Sequence, residues 1–274
     1  MPSVNQNVLR RIPLVIPSLP TQRRIAAVLG ALDDAIELNR KMNANLEAQA
    51  QAQFKSWFVD FAPWAGKMPK EWKKIPLSEI ADFHPGYSYK GNELRPSRVA
   101  MATIKNYERR GGFKLDGFKE IVPSSKLKES QTVEVFDTLV AHTDMTQNAD
   151  VIGNAEIVLS DGGYDKLIMS MDLVKVVPKR GISRFLIAAL LKNPVFKAHC
   201  LGYVNGTTVL HMSKSALAEY RLRFPGDAKC LDGVSKSFEA IYRMMAMNIE
   251  ESRKLAETRD ALLPKLMSGE VEVE

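Results

Sequence analysis

An α+β fold is predicted by three features of the chain: two long heptad-patterned segments toward its ends, a middle region of short strand-like runs, and no regular alternation of strand and helix in that middle. The 274 residues, 45% apolar, 26% charged and 8% aromatic, suffice for one large domain with an appendage and exclude a disordered or fibrous chain. The longest near-continuous apolar run, Phe185 to Leu191, falls far short of the roughly 20 residues a membrane span requires. The start, with Arg10-Arg11 ahead of Ile12-Pro-Leu-Val-Ile-Pro17, imitates a short secretory signal, but prolines interrupt its apolar part and no small-residue cleavage site follows. A cytoplasmic protein is therefore expected. Cys200 and Cys230 make neither a disulfide framework nor a metal-ligand spacing, and both are read as buried packing residues in a reducing compartment.

The first heptad run is Ile25, Leu29, Leu32, Ile36, Asn39, Asn43, Leu46, Ala50 and Gln53, stepping alternately by four and three along one face of a helix. Thr21, after Pro20, is a plausible N-cap, and Ala, Leu, Gln, Glu and Lys fill the segment. An offset of 209 converts these positions into Val234, Phe238, Ile241, Met245, Asn248, Ser252, Leu255, Arg259 and Leu262. Because 209 is not a multiple of seven, matching phase points to copies rather than to two unrelated heptad helices. At about 1.5 Å per residue each helix outruns a small domain, so its seam must pack on another helix, and an antiparallel coiled coil is expected. Asn39 and Asn43 either fix register by buried pairing or mark a solvated stretch where the helices part. Pro264 is expected to stop the second helix, with Gly269 and a short tail after it.

A second echo precedes each helix. Leu9, Ile12, Leu14, Ile16 and Pro17 match Leu217, Tyr220, Leu222, Phe224 and Pro225 at an offset of 208, and both sets alternate like a strand ending at proline. The expected organisation is a strand stub at 1–20, a long helix at 21–62, a globular domain at 63–228, a second long helix at 229–266 and a tail at 267–274. Within the middle, strands are expected at Leu77–Phe83, Val99–Ile104, Thr132–Ala141, Ala155–Leu159 and Leu173–Val177, and helices at 184–193 and 195–202.

The charge is concentrated. Ten basic and four acidic residues lie between Lys90 and Lys128, which accounts for the whole net charge of +6. Tyr87, Tyr89, Tyr107, Phe113 and Phe118 are interleaved with them, a composition suited either to a polyanion-binding surface or to a solvated basic face. Three polar loops, 84–91, 142–150 and 205–213, hold the Asn, Thr, Ser and Gln side chains that can read base edges, although turn chemistry alone also explains their glycines. The candidate DNA-binding residues are Tyr87, Ser88, Lys90, Lys105, Arg109, Arg110, Lys126, Thr143, Asn148, Asn205, Thr207 and Thr208.

Catalytic signatures are thin. Gly86 and Gly91 have P-loop spacing, but Asn92-Glu93 replaces the Lys-Ser/Thr pair that would hold phosphate and metal. No dinucleotide-binding fingerprint, His-Glu-x-x-His motif or nucleophile elbow occurs, and Glu71-Trp-Lys73 reads as surface charge. His84, His142, His199 and His211 share no metal-ligand spacing, so no catalytic residue and no metal are assigned.

The run from Ile12 through Gln22 to Leu29, then Leu32-Asp-Asp-Ala-Ile-Glu-Leu-Asn39-Arg40 and Phe54-Lys-Ser-Trp-Phe-Val-Asp-Phe61, closely resembles the conserved region of type I restriction-modification specificity subunits. Trp72 to Leu77, Gly86-Tyr-Ser88, Asp137-Thr-Leu139, Gly206-Thr-Thr208 and the strand before Pro225 are similar to a target-recognition domain of that family, and Leu262 to Glu270 to its usual C-terminus. The family's full-length members carry two such domains, whereas this chain has one. The resemblance implies a non-catalytic DNA-reading subunit without a cofactor of its own. It implies double-stranded DNA, S-adenosylmethionine-dependent modification subunits and an ATP/Mg-dependent restriction subunit as partners, and a homodimer that reads an inverted repeat. The competing expectation is a coiled-coil adaptor that binds only protein.

Overall fold

The computed structural model describes residues 16–272 apart from Arg110, Gln147, Thr208 and Lys214. It is a mixed α+β structure with two long helices, α1 (Leu19–Phe54) and α5 (Asp232–Ser268). Two compact units divide the chain: residues 1–41 with 250–274, and residues 42–249.

In the first unit, helix α1 begins two residues before the expected cap. Ser18 occupies the capping position, its Oγ accepting from the Thr21 N–H at 3.4 Å, while Pro20 sits in the first turn where no helical N–H is lost. The seam is legible in burial: Ile25 and Asn39 are buried and Leu29, Leu32 and Ile36 half-buried, as are Leu255 and Leu262 of α5. Asn39 Nδ2 donates to Glu251 Oε2 at 3.1 Å, and Arg259 pairs with Asp33 at 2.7 Å, so partners run in opposite directions along the two helices. Pro264 does not stop α5, which continues to Ser268 and buries Leu266 beyond the proline. Gly269, at φ +75°, then ends the helix in the left-handed conformation. Of the expected strand stub, Leu9, Ile12 and Leu14 lie outside the described residues, and Ile16 and Pro17 are in no strand.

In the second unit the same seam continues through Leu46 and Ala50 on α1 and Val234, Phe238, Ile241 and Met245 on α5, all buried. Here too the asparagines bond across: Asn43 Nδ2 donates to the Met245 carbonyl at 3.1 Å and Asn248 Nδ2 to Asn43 Oδ1 at 2.8 Å. Both Asn39 and Asn43 are thus register-setting groups rather than a solvated gap. After Phe54, α1 loosens into a π-helical turn, Lys55–Val59, and breaks at Phe61, whose φ is +51°. The break aims Phe58, Phe61 and Trp64 at Trp72, with ring centroids 5.0 to 5.9 Å apart.

The globular part is built from four small sheets. Strands β2 (Ala81–Pro85), β10 (Leu173–Pro178), β6 (Thr138–Ala141) and β8 (Ala155–Ile157) form one in that order. Strands β4 (Lys119–Glu120), β3 (Val99–Ala102), β9 (Lys166–Met169) and β5 (Thr132–Val133) form the second, with β3 and β9 parallel. Strand β1 (Lys73–Pro76) pairs with β13 (Arg221–Phe224), the alternating strand expected before Pro225. The last sheet has the order β11 (Val204–Asn205), β12 (Leu210–Met212), β7 (Thr143–Asp144). Helix α2 (Arg184–Leu191) is buried at every position from Phe185 on and packs against β10, β8 and β6, followed by α3 (Pro194–Leu201) and the short α4 (Ser215–Glu219).

Two expected strands differ. Leu77–Glu79 is a 3-10 turn, pinned where the Leu77 N–H donates to the Tyr220 carbonyl, and the strand starts at Ala81. The run Thr132–Ala141 is cut by a turn at Glu134–Asp137, with Phe136 at φ +75°, so that its halves serve different sheets. Of the cysteines, Cys200 is buried as expected and Cys230 is exposed, because its 3-10 segment Ala228–Leu231 turns only Leu231 inward.

A buried ion-pair group ties α1 to the sheets. Lys192 Nζ lies 2.9 Å from Glu47 Oε2 on α1 and 2.7 Å from Glu156 Oε2 on β8, whose side chain is 3% exposed. Gln51 Nε2 donates to the Lys192 carbonyl at 2.8 Å. Burial alone would depress the ammonium, but Glu156 and Glu47 outweigh it and hold the lysine above its ordinary range. With the folded value raised, the contribution is complete below the unfolded lysine pKa of about 10.4 and is lost only as pH rises through the folded value.

Lys192→Met should lower the unfolding free energy at pH 7 by about 3–5 kcal/mol, since the buried Glu156 and the half-buried Glu47 lose their counter-charge. A urea midpoint within error of the parent would show that the group is not structural. Burial also pushes the Cys200 thiol up to about 12. Native protein at pH 8 should accordingly label with iodoacetamide at Cys230 alone, and Cys200 should react only in denaturant, as peptide mass mapping would show.

Candidate nucleic-acid interface

The first polar loop leaves β2 at Gly86, where a Cβ would stand 1.9 Å from the Ser170 carbonyl oxygen, so only glycine permits the crossing. Its neighbour Tyr87 is sewn to the connector after β9: the Tyr87 N–H donates to the Met169 carbonyl and the Met171 N–H to the Tyr87 carbonyl, at 2.8 and 2.9 Å. The Tyr87 ring is buried, and its hydroxyl donates to Glu93 Oε1 and lies 2.9 Å from Ser124 Oγ. The Lys90 N–H, the Tyr87 hydroxyl and Ser124 together hold the Glu93 carboxyl below its usual range, against the opposing effect of desolvation. Tyr87 therefore shapes the loop, while Ser88 and Lys90 are exposed on it. Lys126, also exposed, follows two residues after Ser124, whose N–H donates to the Tyr87 hydroxyl at 3.1 Å.

The basic hairpin is closed by the bridge between Tyr107 and Phe113 and turns at Gly111 and Gly112, both at positive φ. Glu156 Oε1 accepts the Gly112 N–H at 2.6 Å, so the carboxylate that pairs with Lys192 also anchors this hairpin. Arg109 is 74% exposed at its side chain and reaches Asp150 of the second loop at 3.7 Å. Arg110 lies outside the described residues. Lys105 is exposed on a 3-10 turn after β3, and among the described residues no hydrogen bond or ion pair ties it to the three loops.

The aromatic residues of the basic stretch are corrected by the structure. Tyr107 is buried, and Tyr107, Phe113, Phe118 and Tyr164 follow one another edge to face, centroids 5.8 to 6.1 Å apart. They fill a core instead of forming stacking platforms.

Strand pairing brings the second and third loops into one sheet. Leu210 and His211 on β12 pair with Asp144 and Thr143 on β7, and Asn205 on β11 pairs with His211. Gly206, at φ +116°, closes the intervening hairpin; a Cβ there would meet the Val209 carbonyl oxygen at 2.3 Å. Asp144 is buried and accepts the N–H groups of Thr146 and Val151 at 2.8 and 2.9 Å, which shapes the loop holding exposed Asn148. His142 Nε2 lies 2.6 Å from the Met171 carbonyl oxygen, linking this loop to the connector that also holds the first. The first and second loops so meet on residues 169–173, and the third joins the second through the β7–β12 pairing. Thr143 is buried, Asn205 and Thr207 are exposed, and Thr208 lies outside the described residues.

The sequence analysis gave His142 and His211 no binding role, yet the structure joins both to these loops, and it left out Met145 and Met171, 74% and 47% exposed. For His142, Met145 and His211 the signal was position within the polar loops; Met171, in the connector after β9, carried none. Among the described residues, no group of three or more His, Cys, Asp or Glu could hold a metal. A separate cleft of about 320 Å3 is lined by Glu129, Glu134, Asp161, Tyr164, Asp165 and Lys166, the wrong balance of charge for a phosphate backbone. No helix among the described residues is long and apolar enough to cross a membrane.

This arrangement of long helices and sheet domain has known counterparts. The S subunit of a type I restriction-modification system from M. genitalium superposes with a TM-score of 0.59 at 15% identity, over 91% of this chain and 61% of that one, which is a likeness of fold. The family described as type I restriction modification DNA specificity domain matches residues 1–48. The chain is 24% identical over 328 residues to the type I restriction enzyme HindI specificity subunit of Haemophilus influenzae, covering 98% of this chain and 71% of that protein. To the MjaIX specificity subunit of Methanocaldococcus jannaschii it is 23% identical over 288 residues, covering 100% and 64% respectively. The resemblance read from the sequence is borne out: the chain is a homologue of type I restriction enzyme specificity subunits.

Gly86→Ala should cost about 1–3 kcal/mol of stability, because the Ser170 carbonyl must move, whereas Gly91→Ala, with nothing within 4 Å of the added carbon, should be near neutral. Denaturant unfolding of the two variants compares them directly; equal effects would contradict the close crossing of the first loop.

Proposed function

We propose that this chain is a sequence-specific DNA-recognition subunit of a type I restriction-modification complex and is not itself an enzyme. The observation that carries the reading is the linkage of three polar loops, the first to the second through residues 169–173 and the second to the third through one sheet, with exposed Lys90 and Arg109 on or beside them, in a homologue of specificity subunits. Exposed bases beside loops rich in Asn, Thr and Ser supply both halves of duplex recognition, counterion release from phosphates and hydrogen bonding to base edges.

In this reading residues 63–228 form a target-recognition domain that reads one half-site, flanked by the long helices at 21–62 and 229–266. The opposed cross-helix bonds at Asn39 and Arg259, and at Asn43 and Asn248, support an antiparallel coiled coil. That coiled coil serves as the scaffold for modification subunits, which supply S-adenosylmethionine chemistry, and for an ATP-dependent restriction subunit. Two copies related by a two-fold axis would read an inverted repeat. The complex acts on cytoplasmic DNA.

The test is a binding titration of the chain assembled with its modification subunit on duplexes across a range of salt. Affinity should fall steeply with salt, and Arg109→Ala should weaken binding to all duplexes alike while flattening the slope by about one unit of log K against log salt. Salt-independent binding, or none in the assembled complex, would refute DNA reading and favour an adaptor that binds only protein.

A further inference from the structure

The β11–β12–β7 sheet has two unlike faces, and the outer one is laid out as a reading surface. On the side of Val204, Leu210 and Met212 it packs into the main core, where Leu210 and Met212 are buried. On the other side the register places exposed Asn205 and His211 in one row with the buried Thr143 across the three strands. Val209 and Met145, which flank β12 and β7 just outside the strands, are 37% and 74% exposed.

We propose that the β11–β12 hairpin is the element that enters the DNA major groove and that His211 is a specificity-determining residue. This inference rests on the DNA-reading function proposed above. The major groove admits a two-stranded ribbon, and adjacent strands lie only about 4.8 Å apart, so the hairpin fits a groove of about 12 Å.

The hydrogen bonding orients the reading group. His142 Nε2, at 2.6 Å from the Met171 carbonyl oxygen, must carry a proton. In the neutral ring its Nδ1 is then an acceptor, 3.5 Å from Thr143 Oγ1. The same hydroxyl lies 3.2 Å from His211 Nδ1, which engages one nitrogen of that ring. Nε2 of His211, on an exposed residue, has no hydrogen-bond partner among the described residues. Opposite it, Asn205 donates one amide hydrogen to the Tyr203 carbonyl at 3.2 Å, which leaves a carbonyl oxygen and a second hydrogen, the pair an adenine edge accepts. Val209 and Met145 add apolar surface of the kind that meets a thymine methyl. Asp144, the one carboxylate on these strands, falls on the opposite alternation with both oxygens occupied, so no negative charge faces the groove.

The experiment is selection from a duplex pool of randomised sequence by the full chain assembled with its modification subunit, followed by titration on the selected and on a scrambled duplex. For His211→Ala we expect about a tenfold fall in the ratio of selected to scrambled affinity, relaxed base preference at one or two adjacent positions, and unchanged affinity and salt slope on the scrambled duplex. Arg109→Ala should lower both affinities and keep the preference. An unchanged preference and ratio in a His211→Ala protein with the parent's unfolding midpoint would overturn the proposal. Should that variant fail to fold, Asn205→Ala on the exposed edge strand takes its place, with relaxed preference expected and an unaltered profile equally fatal. A wild-type complex that selects no sequence would refute DNA reading itself, which is a different result from selective wild type with unaltered variants.

Discussion

A single lysine between a buried and a half-buried carboxylate holds together parts of the 42–249 unit that are remote in sequence. Lys192 follows α2, Glu47 belongs to α1 and Glu156 to β8, and Glu156 spends its second oxygen on the Gly112 N–H of the basic hairpin. A buried ammonium is tolerated only with charge partners at hydrogen-bond distance, so the three elements cannot drift apart without exposing an unpaired charge to a low dielectric. The α1 segment of this unit is thereby locked to the domain that carries the loops, and the hairpin bearing Arg109 is held in the same network.

The loops gain their shape from similarly short constraints. Gly86 permits a backbone crossing that no side chain would allow, Tyr87 closes the first loop from within through Glu93 and Ser124, and Asp144 gathers the second around its carboxylate. The groups that shape the loops of the proposed recognition face consequently have their partners inside the fold. Polar loops on such a support can present side chains without first losing the conformational entropy of ordering.

Much of this was legible in residue order. The heptad seam from Ile25 to Leu46 and from Val234 to Leu255 is buried or half-buried where the spacing placed it, since helical periodicity is a local property that survives any tertiary context. The α2 run Phe185 to Leu191 and the strand before Pro225 were legible for the same reason. The two-residue strands β4, β7 and β11 were not, because a pair of residues carries no period and is extended only by virtue of its partner. Phe136 was also invisible: a bulky residue at positive φ is imposed by the two sheets it separates, not by its own preference.

For the candidate site, residue type indicated which segments were polar and basic, and Lys90, Lys126, Arg109, Asn148 and Asn205 are exposed in the structure. Tyr87 and Thr143 are buried, because their hydroxyls are used to shape the loops. By itself the sequence determined the two long helices, the mixed character of the middle and the likeness to specificity subunits, all carried by periodicity and contiguous motifs. Only tertiary structure decided which loops share a face and that His211 stands between Asn205 and Thr143, since those neighbours are set by strand register between segments about 60 residues apart, and register is a property of pairing rather than of either strand.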